Sequence, residues 1–258
     1  MRLVTFRDSP HSTRVGILEN EQVHGLAAET MIEWLKGEGR VRTGTIHPLK
    51  DVHLLAPVPT PPSFRDFFSY EEHVAKGFEL RGTDIPAAWF EQPIFYFSNP
   101  ASIRGPGDQI PRPAGCNLLD FELEIAAVIG TDNEIAGFTL LNDWSARDLQ
   151  MKEMTVGLGP AKGKDFATSL GPMLVTPDEL PYEDGRLHLE ATVVLNGEEI
   201  TRSDSAMQHH TWRQNRVEVI VGIDVHVRCR IRNQRDSRLV ERVIRHQSVA
   251  GIGGSELI

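Results

Sequence analysis

A short segment in which acidic and apolar residues alternate constrains the fold of this chain more than any other. Residues 120–125 read Asp-Phe-Glu-Leu-Glu-Ile, so Asp120, Glu122 and Glu124 occupy every second position. Side chains two apart in a β-strand point to the same face of the sheet. The segment therefore predicts a strand with one acidic and one apolar face. Two interpretations are open: an edge strand with a solvated acidic face, or a site where a divalent cation neutralises the acids.

A further carboxylate lies where an apolar strand is predicted to end. Residues 135–141 form an apolar run that predicts a buried strand, and Asp143 follows shortly after it. Ser145 fits the N-cap of the next helix, which has an acid in its first turn. Asp143 could complete a three-carboxylate site with Glu122 and Glu124, or it could act as a second helix cap.

The same helix offers two polar side chains for an anionic ligand. Arg147 and Gln150 are three residues apart, and side chains at this spacing share one face of a helix. A guanidinium group can bind a carboxylate through two hydrogen bonds. The alternative interpretation makes Arg147 a surface partner of Asp143. The spacing alone does not decide between the two.

The rest of the chain predicts short strands and few helices. Glycine and proline turns separate short apolar segments from about residue 93 onward. Such a pattern is typical of the α+β class, here mostly β, with helices at the rim of a roll or sandwich. The expected local elements are a hairpin over 14–19 and 22–26, a helix over 29–36, and a hairpin that starts at 187 and turns at Asn196-Gly197.

Four prolines divide the chain into two unequal parts. Pro57, Pro59, Pro61 and Pro62 interrupt every periodic pattern around them. Proline-rich stretches of this kind are common in linkers between domains. We therefore expect a small N-terminal domain over residues 1–60 and a larger domain over residues 61–258.

Composition excludes several classes of function. The formal net charge is −9, which argues against nucleic-acid binding because that needs a basic surface. No apolar run approaches the roughly 20 residues that a membrane-spanning helix needs. The first residues lack the apolar segment of a signal peptide, which predicts a cytoplasmic location. Two cysteines, Cys116 and Cys229, are too few and too far apart to predict a disulfide framework.

Five segments of the chain, in their order, resemble the fumarylacetoacetate hydrolase family. Five ordered blocks are more specific than any single short motif. The resemblance implies a mixed β-sandwich roll with a small β-rich N-terminal domain, and it implies a homodimer. The segments are 65–74 (Arg-Asp-Phe-Phe-Ser-Tyr-Glu-Glu-His-Val), 95–100 (Phe-Tyr-Phe-Ser-Asn-Pro), the acidic strand at 120–125, 142–150 and 158–169.

The resemblance also implies a divalent cation, Mg2+, Mn2+ or Ca2+, as the cofactor. It matches Glu122, Glu124 and Asp143 to the metal-binding carboxylates of the family. It matches Asp66 to a fourth acid that is present in the hydrolases. Such a cation would polarise the oxygen atoms of a small keto-acid substrate. Thr168 matches a position near a second cation in some relatives.

Catalytic and substrate-binding positions follow from the same resemblance. His73 matches a histidine that activates water, and a neutral imidazole suits that role near physiological pH. Lys164 matches the active-site lysine, and with Arg147 it would support developing negative charge. The positions expected to bind the substrate are Phe68, Arg81, Tyr96 and Gln150.

Two departures from the family pattern concern the substrate. Tyrosines that contact substrate in the animal hydrolases correspond here to Phe68 and Met154. Two hydroxyl donors are therefore missing. The expected substrates are fumarylacetoacetate and related acylpyruvates, and the missing donors weaken the expectation of fumarylacetoacetate itself. His209 and His210 match no motif and are expected to be surface residues.

The sequence after Thr211 departs more strongly. It lacks the glycine-rich segments that end the family pattern, and residues 217–231 alternate as one long amphipathic strand. Our hypothesis is that residues 211–258 are a divergent or frame-shifted replacement. A glutamate partner for His73 would then have to come from Glu71 or Glu72.

These observations predict a metal-dependent hydrolase that cleaves a C–C bond in a β-diketo acid during catabolism of aromatic compounds such as tyrosine. A second interpretation uses the same cation without attack by water, in an isomerase, hydratase or decarboxylase of ring-cleavage keto acids. A third is a catalytically silent member of the family that retains the fold.

Overall fold

The computed structural model describes residues 1–212 and 220–223. Its N-terminal part contains five strands and one short helix. They are β1 (Arg2–Arg7), β2 (Arg14–Glu19), β3 (Gln22–Leu26), α1 (Met31–Leu35), β4 (Arg42–Pro48) and β5 (His53–Leu54).

The remaining described residues add thirteen strands and three α-helices. The strands are β6 (Phe64–Phe67), β7 (Phe95–Phe97), β8 (Ile103–Arg104), β9 (Leu119–Asp120), β10 (Leu123–Ile129), β11 (Ile135–Asp143), β12 (Ser145–Ala146), β13 (Thr168–Val175), β14 (Tyr182–Glu183), β15 (Arg186–Leu187), β16 (Glu190–Leu195), β17 (Glu198–Asp204) and β18 (Ile220–Ile223). The helices are α2 (Glu71–Glu79), α3 (Ala87–Glu91) and α4 (Arg147–Met154). Short 3-10 turns occupy Leu49–Asp51, Pro100–Ser102, Thr131–Asn133, Pro177–Glu179 and Ser205–Met207.

One large mixed sheet organises the molecule. Its strand order is β4-β3-β2-β1-β13-β11-β10-β18-β6-β7, with β5 paired to β1 and β8 paired to β13. Most pairs are antiparallel, whereas β18 runs parallel to β6 and β8 parallel to β13. Three two-stranded ladders lie outside this sheet. The expected class, α+β and mostly β in a mixed roll, is confirmed.

Two predicted hairpins are present. Strands β2 and β3 pair around Asn20 and Glu21, whose φ angles are 48° and 62°. Strands β16 and β17 turn at Asn196 and Gly197, with φ of 52° and 90°. Positive φ at both central residues defines a tight turn that matches the twist of the flanking strands. The helix expected over residues 29–36 is shorter, since α1 begins only after Thr30, whose side chain caps it.

The N-terminal strands extend the main sheet directly. Strand β1 pairs with β13, and Leu3 in β1 lies opposite Leu174 in β13. One apolar cluster contains side chains from both sides of the proline-rich stretch, including Val15, Trp34 and Leu141. The division at residue 60 stays a prediction, and any small N-terminal unit shares both its sheet and its core with the rest of the chain.

Strand β10 lies inside the sheet, between β11 and β18. Glu122 and Glu124 are 5% and 0% exposed. The interpretation of this segment as an edge strand with a solvated acidic face is therefore wrong. Neighbouring strands cover both edges of β10, and buried carboxylates require compensating charge.

The predicted helix cap at Ser145 is also wrong. Ser145 belongs to β12, and α4 follows Ala146 with no side chain capping it. The Ser145 hydroxyl instead donates to the carbonyl of Asp143 at 3.1 Å. At the start of the helix, the amide of Arg147 donates to the carbonyl of Leu118 at 2.8 Å, and the amide of Leu149 donates to Asp148 at 3.0 Å. Two of the first four amides of the helix thus have partners other than Ser145.

Of the long strand expected over residues 217–231, only 220–223 is described, and it forms β18. The rest of that prediction, including most of the atypical tail, lies outside the described residues. Among the residues that are described, no helix is long and apolar enough to cross a membrane.

Candidate metal centre and active site

Three buried carboxylates converge at the centre of the sheet. Asp66 lies in β6, Glu124 in β10, and Asp143 at the end of β11. One carboxylate oxygen from each lies within 4.8 Å of the other two. The three side chains are at most 2% exposed. The sheet thus collects acids from three separate strands at one point that solvent does not reach.

Asp143 is held through one of its two oxygen atoms. Its Oδ2 accepts a hydrogen bond from the Tyr96 hydroxyl at 2.6 Å and lies 2.5 Å from Lys164 Nζ. Its Oδ1 is buried and accepts no hydrogen bond from the described residues. The same is true of Thr168 Oγ1, and Thr168 lies opposite Asp143 in the β11–β13 ladder. One oxygen of Asp143 is therefore fixed by the protein, and the other is left for a ligand.

Glu122 lies beside this group and is bound to two cationic side chains. Its Oε1 is 2.6 Å from Arg147 Nη1, and its Oε2 contacts Lys164 Nζ. Arg147 also binds Asp120, with Nε 2.8 Å from Oδ2. Arg147 thus joins the two acids of residues 120–125 that are not in the convergent group, and it is not a surface partner of Asp143. The place of Glu122 among the cation ligands stays a prediction.

Lys164 remains an ammonium group in this environment. It is 4% exposed, and burial alone would lower its pKa. The carboxylates of Asp143 and Glu122 outweigh burial and raise the pKa of Lys164 above its usual value. A lysine held in the charged form cannot act as a base near neutral pH, so its contribution is a fixed positive charge.

The two carboxylates bound to Lys164 respond in opposite directions. Burial raises the pKa of Asp143 and Glu122 adds to this rise, although Lys164 opposes it. Burial also acts to raise the pKa of Glu122, but Lys164 and Arg147 together lower it below the usual value. The Glu122 carboxyl is therefore ionised. The positive charge near Asp143 does not fully offset the burial of its carboxylate. A cation at the three-carboxylate group would supply additional positive charge.

Tyr96 completes the polar surroundings of Asp143. Burial and the nearby carboxylates, Asp143 first among them, raise the pKa of Tyr96 well above its usual value. The phenol therefore keeps its proton and donates it in the hydrogen bond to Asp143. Tyr96 is thus in direct contact with one of the three convergent acids, and its predicted role in binding the substrate stays a prediction.

His73 lies in the first turn of α2, partly buried beside Phe68. The two rings are 5.4 Å apart and perpendicular. The charge of a protonated His73 also acts to lower the pKa of Glu122, so His73 lies close enough to Glu122 to interact with it electrostatically. The two candidate glutamates contact other side chains: Glu72 lies 2.8 Å from Lys76, and Glu71 lies 3.8 Å from His209.

Gln150 and Arg81 differ in how the structure places them. Gln150 accepts a hydrogen bond from Arg147 at 3.3 Å, which puts its amide next to the pair formed by Arg147 and Glu122. Arg81 follows the end of α2 and is exposed, with its guanidinium 5.1 Å from the Phe78 ring. The structure thus brings Gln150 to the site, whereas Arg81 lies at the exposed surface beside Phe78.

The loop that carries Lys164 is held by a residue that the sequence did not single out. Glu153 in α4 accepts hydrogen bonds from the amides of Ala161 and Gly163 at 2.6 and 3.1 Å. The carbonyl of Gly163 in turn accepts from the Ala146 amide at 2.8 Å. The only signal in the sequence was a Gly-Pro-Ala-Lys-Gly loop whose backbone donors need acceptors.

Gly163→Ala is expected to destabilise the protein by about 1–3 kcal/mol, the usual effect of overpacking. A Cβ at position 163 would lie 2.6 Å from the Cβ and 2.8 Å from the Cα of Gln150, so helix α4 or the loop must move. Urea denaturation measures the change. The control is Gly77→Ala inside α2, where a Cβ meets no atom within 4 Å; it should stabilise by about 0.5–1 kcal/mol. Unchanged stability of Gly163→Ala would contradict the close contact.

The donor set fits a hard divalent cation. Asp66, Glu124 and Asp143 offer only oxygen atoms, as Mg2+, Mn2+ and Ca2+ prefer. The buried Oδ1 of Asp143 accepts no hydrogen bond within the described part of the chain, and buried carboxylate oxygens of this kind normally have a partner. These three residues could hold such a cation, and the predicted ligand set of Asp66, Glu122, Glu124 and Asp143 stays a prediction.

Comparison with known proteins identifies the family. The model of the fumarylacetoacetate (FAA) hydrolase C-terminal domain matches residues 63–216, and a model described as Rv2993c-like, N-terminal, matches residues 1–57. The first match covers more than half of the chain and includes every predicted site residue. The chain therefore belongs to the fumarylacetoacetate hydrolase family.

Known relatives share part of the sequence and most of the fold. The fumarylacetoacetase of Oryza sativa subsp. japonica is 36% identical over 163 residues, which is 52% of this chain and 38% of that protein. The chain spans about two fifths of the length of the curated relatives it matches first.

Two solved structures illustrate the range of activities among proteins with this fold. Fumarylacetoacetate hydrolase from Exiguobacterium antarcticum has a TM-score of 0.65 and 23% identity, covering 86% of this chain and 85% of that one. A 5-carboxymethyl-2-hydroxymuconate delta-isomerase from Mycobacterium smegmatis has a TM-score of 0.64 and 26% identity, covering 87% and 88%.

Proposed function

We propose that this protein is a divalent-cation-dependent hydrolase that cleaves a C–C bond in a β-diketo acid, either fumarylacetoacetate or a related acylpyruvate. The observation that supports this most is the buried group of Asp66, Glu124 and Asp143, placed next to a charged lysine and a histidine. Membership of the family adds to this support. Because the chain aligns with only part of the length of these relatives, their activity is a proposal for this chain.

The three convergent carboxylates would hold the cation. When bound, the cation would polarise the oxygen atoms of the keto acid and offset negative charge that develops as the C–C bond breaks. Tyr96 and Lys164 hold the other oxygen of Asp143, and such supporting contacts fix the orientation of a ligand side chain.

His73 would act as the general base. A neutral imidazole can accept a proton from water as the water oxygen bonds to the ketone carbon of the substrate. The C–C bond then breaks, and its electrons stay with the departing carbon. The imidazolium returns the proton to that carbon, so the products are a carboxylic acid and a methyl ketone. Water supplies both the hydroxyl group and the proton.

Lys164 and Arg147 would stabilise charge without exchanging protons. Both are ionised, since nearby carboxylates outweigh burial and raise the pKa of Arg147 as well as that of Lys164. Positive groups already fixed in a buried site need no rearrangement as negative charge appears in the transition state. Gln150, bound to Arg147, would help to orient the substrate, together with Phe68 next to His73.

His73→Ala is expected to lower kcat about 10²–10⁴-fold, the usual contribution of a general base. Cation affinity should stay unchanged because His73 is not among the convergent acids. Turnover of fumarylacetoacetate and of acylpyruvates with added Mg2+ or Mn2+ measures the first effect, and titration calorimetry the second. His11→Ala, at an exposed position, is the control. Full activity of His73→Ala would overturn the proposed role.

The second candidate is an isomerase, hydratase or decarboxylase acting on a ring-cleavage keto acid. The likeness to the Mycobacterium smegmatis isomerase and the apolar residues at Phe68 and Met154 favour it. Turnover in water enriched in ¹⁸O distinguishes the two, because only hydrolysis places one solvent oxygen in the new carboxylic acid. Cation binding with no turnover of any of these substrates would indicate the silent member instead.

Our proposal includes a homodimer in the cytoplasm, which light scattering and cell fractionation can test.

A further inference from the structure

A segment near residue 210 packs against the turn that leads into helix α2. We call residues 205–212 the anchor segment. The Tyr70 hydroxyl donates to the carbonyl of Ser205 at 2.7 Å, and the His209 amide donates to the carbonyl of Ser69 at 2.8 Å. These contacts join a late part of the chain to the residues between Asp66 and His73. They tie together the strand with a predicted cation ligand and the helix with the predicted base.

Trp89 in α3 lies between this turn and the anchor segment. It is 4% exposed, and its Nε1 donates to the carbonyl of Phe68 at 2.6 Å. On its other side, His210 Nε2 lies 3.1 Å from the Trp89 carbonyl, and the His209 ring lies 4.9 Å from the indole ring. His210 is 5% exposed, so the prediction that it is a surface residue is wrong.

The hydrogen bond from Trp89 reaches His73 through a single residue. The carbonyl that it holds belongs to Phe68, whose ring packs at a right angle against the His73 ring. This partly buried hydrogen bond restrains the carbonyl of Phe68, and so it restrains the backbone from which the Phe68 side chain projects. A contact thus leads from the Trp89 indole through Phe68 to the His73 ring.

We propose that Trp89 is a positioning residue for His73. Its indole N–H holds the turn at Phe68, and the Phe68 ring holds the imidazole in the direction needed to accept a proton from water. Trp89 itself takes no part in the chemistry. This inference rests on the role of His73 in the proposed function, so its test must separate the two.

Trp89→Phe removes the N–H donor and keeps an aromatic ring in the cavity. We expect kcat to fall by roughly tenfold to a hundredfold, since small errors in the placement of a reacting group have effects of this size. Cation affinity should stay within about twofold, because Trp89 is not among the convergent acids, and KM should change less than kcat. The matched control is Trp212→Phe. Trp212 lies in the anchor segment and, like Trp89, it is buried. Its Nε1, however, makes no hydrogen bond within the described residues.

A double-mutant cycle with His73→Ala separates positioning from general destabilisation. If Trp89 acts through His73, then Trp89→Phe has no further effect on kcat once His73 is removed. If the two losses multiply, Trp89 is a structural residue only and the inference is overturned. If His73→Ala alone keeps full turnover, the proposed role of His73 as the base fails, and the kinetic argument for Trp89 fails with it.

A measurement without substrate tests the positioning directly. The ring signals of His73 in a ¹⁵N-histidine NMR spectrum, assigned with His73→Gln, should shift in Trp89→Phe and stay in place in Trp212→Phe. Unchanged signals in Trp89→Phe would overturn the inference even if the hydrolase proposal holds. A shift specific to Trp89→Phe would support it even if the enzyme proves to be an isomerase.

Discussion

Glu124→Gln is expected to abolish tight binding of Mg2+ and Mn2+ while the protein stays folded. The substitution keeps the size of the side chain and removes one of three convergent charges. Changes to residues that only support metal ligands cost about 10- to 100-fold in affinity, so loss of a ligand charge should cost more than about a hundredfold. Titration calorimetry of the purified protein measures the affinity.

The control is Glu198→Gln, at an exposed position in the β16–β17 hairpin. It should bind the cation as the unchanged protein does. Affinity retained in Glu124→Gln would mean that the three carboxylates are not a cation site. A parallel titration of Glu122→Gln tests the predicted ligand that lies outside the convergent group. A large loss of cation affinity there would place Glu122 among the cation ligands despite its bonds to Lys164 and Arg147.

Lys164→Met is expected to lower the free energy of unfolding by about 3–5 kcal/mol, the usual cost of removing one partner from a buried ion pair. Glu122 and Asp143 would be left in a buried site without the ammonium group between them. Chemical denaturation measures this loss. Turnover should fall as well, since a fixed positive charge is lost. The neighbouring Lys162 is exposed and pairs with Asp165 at 3.0 Å, so Lys162→Met should change stability by less than about 1 kcal/mol.

The pH dependence of Lys164→Met has a defined sign. In the unchanged protein the pKa of Glu122 is lowered on folding. The stability that Glu122 contributes is therefore present above its unfolded pKa and is lost as pH falls through the folded one. Without Lys164 the pKa values of Glu122 and Asp143 rise, and protonation then favours the folded state. The difference in stability between the two proteins should narrow as pH falls below the raised pKa values. A difference that widens in acid would contradict this account.

Addition of Mg2+ gives an independent check on the same variant. A cation at the acidic group would replace part of the charge that Lys164 supplied. The increase in the free energy of unfolding that Mg2+ causes should therefore be larger in Lys164→Met than in the unchanged protein. Lys162→Met should show no such increase, and an equal effect in all three proteins would mean that Lys164 does not screen the cation site.

The alternation in residues 120–125 predicted a single strand, because the two-residue period of a strand is a local property. The structure divides this segment: β9 ends at Asp120, β10 begins at Leu123, and Glu122 lies in neither strand. The alternation did not predict burial, which depends on β11 and β18 pairing with the two edges of β10. It also did not separate the roles of the two acids. Glu122 is bound by Arg147 and Lys164, and those contacts depend on how α4 and a later loop pack.

Other errors have the same origin in distant contacts. Ser145 is a residue type that favours helix caps, but the first amide of α4, that of Arg147, donates to the carbonyl of Leu118 in a distant part of the chain. His210 is buried because it meets Trp89, 121 positions earlier. No local pattern reports such a pairing. The family resemblance supplied Asp66, Tyr96 and Lys164, which composition and periodicity alone would have left as ordinary residues.

The order in which the central strands pair has a consequence for how the cation site is assembled. Strands β6 and β10, which carry Asp66 and Glu124, are not neighbours in the sheet, because β18 lies between them. Gly222 of β18 lies opposite both Asp66 and Ala126. A chain that has folded only through β17 would have a gap in its sheet between two of the three acids. The spacing of Asp66 and Glu124 in the folded sheet therefore depends on β18, which lies between the strands that carry them.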